Sequence, residues 1–259
     1  MEKLIISKKQ GAVLSLSLNR SDSYNALNPA LLSALYLEIG KAEVDEEVKV
    51  VILKGNGKGF CAGQDLKMLK NAKEVEASAI IEKLYKPVIT GISNSSKLYI
   101  CQLHGVASGA GLALALSCDI VYAEKGAKLI PGFVKVGLMP DSGASWFLVQ
   151  ILGVRKAFEL LALGEKIGAE EAHQLGLINH VTPPEKLETI VNAAARHFSQ
   201  GPSLVFKMLK KLIKEIPGKS LEEVITFEGK FQDIAAKSED FAEAVSAFLE
   251  KREPRFRGC

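Results

Sequence analysis

Twice along this chain a short run of apolar residues stops at a cluster of glycines. In the second case the glycines open straight into an apolar helical segment. Val48 to Leu53 runs into Gly55-Asn56-Gly57, and Leu98 to Leu103 runs into Gly105 to Gly111, beyond which Leu112 to Leu116 is almost wholly apolar. A run of that length without polar alternation is the pattern of a strand buried on both faces. Glycine lets the chain turn tightly and approach other backbone as it leaves such a strand. Strand, glycine turn and helix in alternation predict a layered α/β core that receives ligands at the loops leaving the carboxyl ends of its strands. At 259 residues, with 47% hydrophobic and 24% charged, the chain is long enough to bury that core in one domain with an appendage.

The flanking segments extend this layout. Leu14, Leu16 and Leu18 alternate with Ser15 and Ser17, a strand with one buried face, and Lys3 to Ser7 before Gly11 supplies its hairpin partner. Asn28 and Pro29 are a cap and first-turn pair for a helix carrying Leu31, Leu32, Leu35 and Ile39. Ile120 to Ala123 extends the sheet. From about residue 184 the pattern is purely helical, with stripes at Leu187, Ile190, Val191, Ala194 and Phe198, at Leu204, Val205, Met208, Leu209 and Leu212, and two more over 221–234 and 241–249. These divide the chain into an α/β core over residues 1–195 that carries the site, and a helical region over 196–259 that packs on the core or on another subunit.

Composition excludes several function classes. A formal charge of +3 is small for this length and gives no basis for binding nucleic acid through phosphate neutralisation. No apolar run spans a bilayer, and the N-terminal apolar stretch is too short for a signal peptide, so the expected setting is cytoplasmic and away from membranes. Cys61, Cys101, Cys118 and Cys259 form no CxxC pair, and His104, His173, His180 and His197 are scattered, so neither a disulfide framework nor a metal site is expected.

Chemistry concentrates in two turns, Gly59-Phe60-Cys61-Ala62-Gly63-Gln64-Asp65-Leu66 and His104-Gly105-Val106-Ala107-Ser108-Gly109-Ala110-Gly111. The second opens into a helix whose first N–H groups have no intrahelical acceptor and favour negative charge. Two such turns on neighbouring strands can aim a pair of amide donors at one developing oxyanion, the arrangement that stabilises the enolate of a thioester. Read singly, each is equally a set of glycines permitting positive φ or close strand-to-helix packing.

Together the turns resemble the crotonase (enoyl-CoA hydratase/isomerase) superfamily, and the likeness covers the whole chain. It extends through Asn25-Ala26-Leu27-Asn28, Cys118-Asp119-Ile120, Gly137-Leu138-Met139-Pro140-Asp141, Ala172-His173-Gln174-Leu175-Gly176-Leu177-Ile178 and the ending Phe248-Leu249-Glu250-Lys251-Arg252. The resemblance implies the ClpP/crotonase fold of repeated ββα units with a C-terminal helical region, and an acyl-CoA thioester as substrate with no separate cofactor. It implies an oxyanion hole made by the N–H groups of Gln64 and Ala110. The substrate-binding set carried over is Ala26, Ala62, Gly63, Gln64, Asp65, Leu66, Gly109, Ala110 and Phe133, and the assembly is a homotrimer or a dimer of trimers.

Two positions separate the chain from the hydratases of that superfamily. Their glutamates fall on Ala113 and Phe133 here, so the acid and base that hydration uses are missing. The carboxylate that does occur near the turns is Asp141, as in the 1,2-epoxyphenylacetyl-CoA isomerase and Δ3,Δ2-enoyl-CoA isomerase-like branch, which this sequence resembles. One carboxylate suffices for a 1,3 proton shift through a dienolate, so the expected activity is an acyl-CoA isomerase that moves a double bond, or rearranges an epoxide, with Asp141 as proton shuttle. Phe133, Trp146 and Phe147 are the expected apolar wall around it. Pro140-Asp141-Ser142-Gly143 before an apolar stretch is also the pattern of a helix N-cap.

Asp65 reads as a ligand of loop backbone rather than a catalyst, His104 as structural, and Lys207, Lys210, Lys211 and Lys214 as a solvated helix face within reach of CoA phosphates. The alternatives are a hydratase using Asp141 with an unidentified partner, a non-catalytic CoA-thioester-binding protein, and a serine hydrolase built on Ser108. The last lacks a histidine between His104 and His173.

Overall fold

The computed structural model describes residues 3–67 and 76–258. Strands β1 (Ile5–Gln10) and β2 (Val13–Leu18) form the expected hairpin, reversing at Gly11 with φ +58°. Helix α1 (Pro29–Val44) follows, and the Asn28 side chain accepts the Leu31 amide at 2.8 Å as its N-cap. The two apolar runs become β3 (Val50–Gly55) and β4 (Leu98–Leu103), joined in parallel. Between them stand α2 (Ala77–Ile80), a π-helical turn over Ile81–Tyr85, and α3 (Lys86–Asn94).

The second glycine turn contains an unforeseen strand, β5 (Val106–Ser108), before α4 (Ala110–Leu116), every residue of which is buried. Then come β6 (Ile120–Glu124), β7 (Lys128–Ile130), α5 (Ala144–Leu163, kinked at Gly153), β8 (Ile167–Gly168), α6 (Ala169–Gln174) and β9 (His180–Thr182). The main sheet has the order β1-β2-β3-β4-β6-β9 and is parallel from β2 onward; β5, β7 and β8 form a second, smaller sheet.

The main sheet is covered on both faces. One face packs Leu16, Leu18, Leu53, Cys101 and Leu103 against α1, α3 and α4 through Leu31, Leu35, Ile92 and Leu112. The other presents Val50, Ile52, Ile100 and Tyr122 to Leu187, Val191 and Ala195 of α7 (Leu187–Ser199). The division drawn at residue 195 therefore cuts through α7, a helix that belongs to the core by packing.

Beyond it lie α8 (Ser203–Glu215), α9 (Leu221–Ala235) and α10 (Glu239–Glu250). The basic face of α8 is not uniformly solvated, contrary to expectation. Lys210 donates to the carbonyls of Ile92 and Lys97 and to Asp119 at 2.8–3.1 Å, and Lys214 donates to the Ser93 hydroxyl at 2.8 Å, so the two lysines pin α8 to the core. On α9 and α10, Leu221, Ile225, Phe241, Phe248 and Leu249 remain exposed. Among the described residues no helix is long and apolar enough to cross a membrane.

Candidate active site

The two glycine turns meet. After β3 the chain runs beside β5: Phe60 donates its amide to His104, Cys61 to Val106, and Ser108 returns its amide to Cys61, at 2.8–3.0 Å. The same turn then bridges to the loop before α1, where Leu27 donates to Gly63 and Asp65 donates to Leu27 at 2.7 and 2.9 Å. Successive amides in an extended segment point to opposite sides. This pairing therefore turns the Gln64 N–H away from Leu27.

Gly63 has φ +87°, and a Cβ placed on it would lie 2.5 Å from the Ser108 carbonyl oxygen and 3.5 Å from the Ala110 nitrogen. Only glycine lets the Gln64 turn come this close to the start of α4. Gly109, at φ 51° and ψ −121°, swings the chain from β5 into α4 and leaves Ala110 in the first helical position. Among the described residues neither the Gln64 nor the Ala110 amide has an acceptor. Replacing Gly63 by alanine combines a left-handed backbone with a clash against the carbonyl of Ser108, a residue held in β5. The expected loss of stability is about 2–4 kcal/mol, read from the denaturant midpoint.

The support of the Gln64 turn was not visible in sequence. Arg20 donates to the Ala26 carbonyl through Nη1 and to Asp65 Oδ2 at 2.9 Å through Nη2, clamping the two strands of loop together. Asp65 also accepts the Lys67 amide at 3.3 Å, so it does bind loop backbone as expected, but Arg20 is the main reason its carboxyl sits below the usual range. Fully buried Asn25 donates to Asn56 and Gly59 and accepts from the Arg20 amide, all at 2.8–2.9 Å. Of the other expected ligand-binding positions, Ala62 and Leu66 are exposed beside this turn and Ala26 is buried within it. His104 pairs with the Gly57 carbonyl at 3.0 Å and Ser108 has no histidine partner among the described residues, so nothing supports a serine nucleophile.

Asp141 and Gln64 line one cavity of about 530 Å³, together with Ala77, Ile80, Ile81, Tyr85 and the stretch Gly137 to Pro140. Ala110, Gly109 and Phe133 stand outside this lining: Ala110 lies beside Gly63, and the Phe133 ring beside Gly109. Asp141 is not a helix cap: Gly143 occupies the N-cap of α5, and the Asp141 side chain accepts from the Ser142 hydroxyl at 2.8 Å. Burial pushes its carboxyl above the ordinary aspartate value, against the opposing pull of that hydrogen bond. The backbone that presents it is itself unusual, since buried Ser142 has φ 53° and Gly143 φ 80°.

The apolar wall differs from the expected one. Ile80, Ile81, Leu138, Met139 and Pro140 supply it, whereas Trp146 is half-exposed and lines a separate depression with Ile89, Thr90 and Ser93. The reversal at Ser142-Gly143 carries the first turn of α5 to that other side. Phe133 instead packs with Ala113 and Ala144 in a small buried cluster, its ring 3.8 Å from where a Gly109 Cβ would stand. The two positions that carry glutamates in the superfamily's hydratases are thus in one apolar contact.

An α/β core with two backbone turns converging beside a carboxylate-lined cavity suits acyl-thioester chemistry, and the family model for enoyl-CoA hydratase/isomerase matches residues 8–259. This chain belongs to that family. The crotonase fold is shared at full length: the crystal structure of an enoyl-CoA hydratase from Mycobacterium smegmatis superposes with a TM-score of 0.91 at 32% identity, covering 98% of this chain and 99% of that one. The 1,2-epoxyphenylacetyl-CoA isomerase of Escherichia coli K12 is 35% identical, with all of both chains covered. The 2,3-dehydroadipyl-CoA hydratase of the same organism is 33% identical, again with all of both covered. Membership of the enoyl-CoA hydratase/isomerase family accounts for the two turns; the relatives include both an isomerase and a hydratase.

Proposed function

We propose that this family member is an acyl-CoA isomerase that shifts a double bond, or rearranges an epoxide, through a thioester enolate. The observation that carries this reading is the composition of the cavity: among the described residues Asp141 is the carboxylate lining it, while the two positions used for hydration are Ala113 and Phe133, packed together. The thioester oxygen accepts from the Gln64 and Ala110 amides. Asp141 removes a proton from C2 of a 3-enoyl thioester, the electron pair delocalises onto the oxygen, and the proton returns at C4, so no acid, base or atom beyond the substrate is consumed. A carboxylate raised by burial is a stronger base once ionised and a competent acid once protonated, as the shuttle requires. The CoA portion lies along Ala26, Ala62, Asp65 and Leu66, and no separate cofactor takes part. The exposed apolar residues of α9 and α10 are assigned to contacts between copies in a homotrimer or dimer of trimers.

Hydration is the second reading, favoured by the identity to the dehydroadipyl-CoA hydratase. Incubation with 3-enoyl-CoA and with 2-enoyl-CoA in deuterated water separates them. The isomerase forms the conjugated thioester from the first and exchanges hydrogen into the acyl chain; consumption of the second with formation of 3-hydroxyacyl-CoA, and no conjugation of the first, would replace this reading by hydration.

A further inference from the structure

Among the described residues the cavity that holds Asp141 has two other side chains with polar atoms, Gln64 and Tyr85, and of these Tyr85 is the buried one. It is placed there by the π-helical turn, in which the Lys86 amide donates to the Ile81 carbonyl five residues back. The cause lies one residue on: Pro87 has no N–H to return to the carbonyl four residues before it, so the regular ladder cannot be kept. The extra residue in that turn points the Tyr85 side chain inward, where only 3% of the residue is exposed, and it lines the cavity with Ile80 and Ile81 before it and Asp141 across from it.

Buried tyrosine hydroxyls usually find a hydrogen-bond partner. The Tyr85 hydroxyl has none among the described residues, and its oxygen is not sealed off, as those of Tyr99 and Gln102 are, but opens on the cavity. Burial is the main influence on it and the Asp141 carboxylate the largest charged one, so the phenol lies within electrostatic reach of the proposed base. Burial and this charge push the phenol above its ordinary value, so it keeps its proton and acts as a hydrogen-bond donor rather than an acid. Among the described residues the rest of the wall is Gln64, whose side-chain amide is the other polar group, and Ala77, Ile80, Ile81, Gly137, Leu138, Met139 and Pro140, which offer a ligand no polar side-chain group. A hydrocarbon acyl chain would leave that donor dry and unpaired, whereas an oxygen atom on the chain would satisfy it.

We propose that Tyr85 is a specificity-determining residue that donates a hydrogen bond to an oxygen carried on the acyl group beyond the thioester carbonyl, so that this cavity selects oxygen-bearing acyl-CoA thioesters. The inference rests on the reading of the cavity as the acyl site, but not on which reaction follows there. A site built to bond an oxygen discriminates against the analogue that lacks it, because its own donor is then left unpaired.

The test is binding, measured by calorimetry on the full chain with hexanoyl-CoA and with hexanoyl-CoA hydroxylated in turn at C3, C4, C5 and C6. At least one hydroxylated thioester is expected to bind about tenfold more tightly than hexanoyl-CoA, and Tyr85→Phe is expected to bring that ratio near one. Equal binding of all five by the unaltered protein overturns the assignment. So does a preference that survives in Tyr85→Phe, which would locate the donor elsewhere, or a uniform loss of affinity in the variant, which would place Tyr85 on the thioester itself. Failure of the isomerase reading shows up separately, as absent conjugation of 3-enoyl-CoA, while the binding ratio stands.

Discussion

Asp141→Asn is expected to lower kcat for conjugation of a 3-enoyl-CoA by about a thousandfold, the range lost when a positioned acid–base group is removed, and at the same time to make the protein more stable at neutral pH. The two effects share one cause. The Asp141 carboxyl is raised above its usual value by burial, which means that ionising it in the folded chain costs more than ionising it in the unfolded chain. Below the unfolded value, about 3.9, both states hold the proton and the cost is absent. As pH rises through the interval up to the folded value, the unfolded chain releases its proton first and stability falls. Asparagine has no charge to bury, so the difference in thermal midpoint between variant and parent should open on going from pH 3 to pH 7. A variant that retained turnover, or that became less stable with rising pH in the same way as the parent, would remove Asp141 from the proposed chemistry.

Ala110→Pro should lower kcat by at least about 10²- to 10³-fold, the loss found when one donor is taken from an oxyanion hole, while leaving the fold in place. Proline deletes the amide hydrogen and sets its ring Cδ where that hydrogen pointed, so the loss of one donor is the least effect expected. Ala110 is the first residue of α4, where a helix accepts proline readily because that N–H has no partner within the helix. Gly109 before it, at φ 51° and ψ −121°, is near the mirror image of the extended backbone that precedes proline, so it need not move. The measurement pairs steady-state kinetics with a melting curve. Full activity in a folded variant would show that the Ala110 amide carries no charge stabilisation.

How far the chain could be understood from sequence depended on whether the physics was local. Val48 to Leu53 and Leu98 to Leu103 announced buried strands because a run without polar alternation has few other uses, and Asn28-Pro29 announced α1 because capping is decided within four residues. The meeting of Gly63 with Ala110 was legible only as a coincidence of two glycine turns, made pointed by likeness to known enzymes. Arg20 lies 45 positions from Asp65 and reaches it across a loop, a pairing that nothing in local pattern signals. Lys210 looked like part of a solvated stripe because helical spacing cannot tell which lysine meets a partly buried aspartate elsewhere in the chain. The wall of the cavity was misplaced for a related reason: the reversal at Ser142-Gly143, with a serine at φ 53°, turns α5 aside, and a non-glycine residue in that region is uncommon enough that sequence does not suggest it. Tyr85 was passed over inside a charged segment whose periodicity is broken by the widened turn before Pro87.

The contact among Ala113, Phe133 and Ala144 bears on how such a chain could acquire new chemistry. A glutamate introduced at position 113 alone would arrive against the Phe133 ring in a spot sealed from solvent, where its charge is costly to bury. Drift toward a two-carboxylate site would therefore have to begin at position 133, where the ring itself is replaced. Occupancy of that space by the ring, and not only the want of an acidic side chain, stands between position 113 and a second carboxylate.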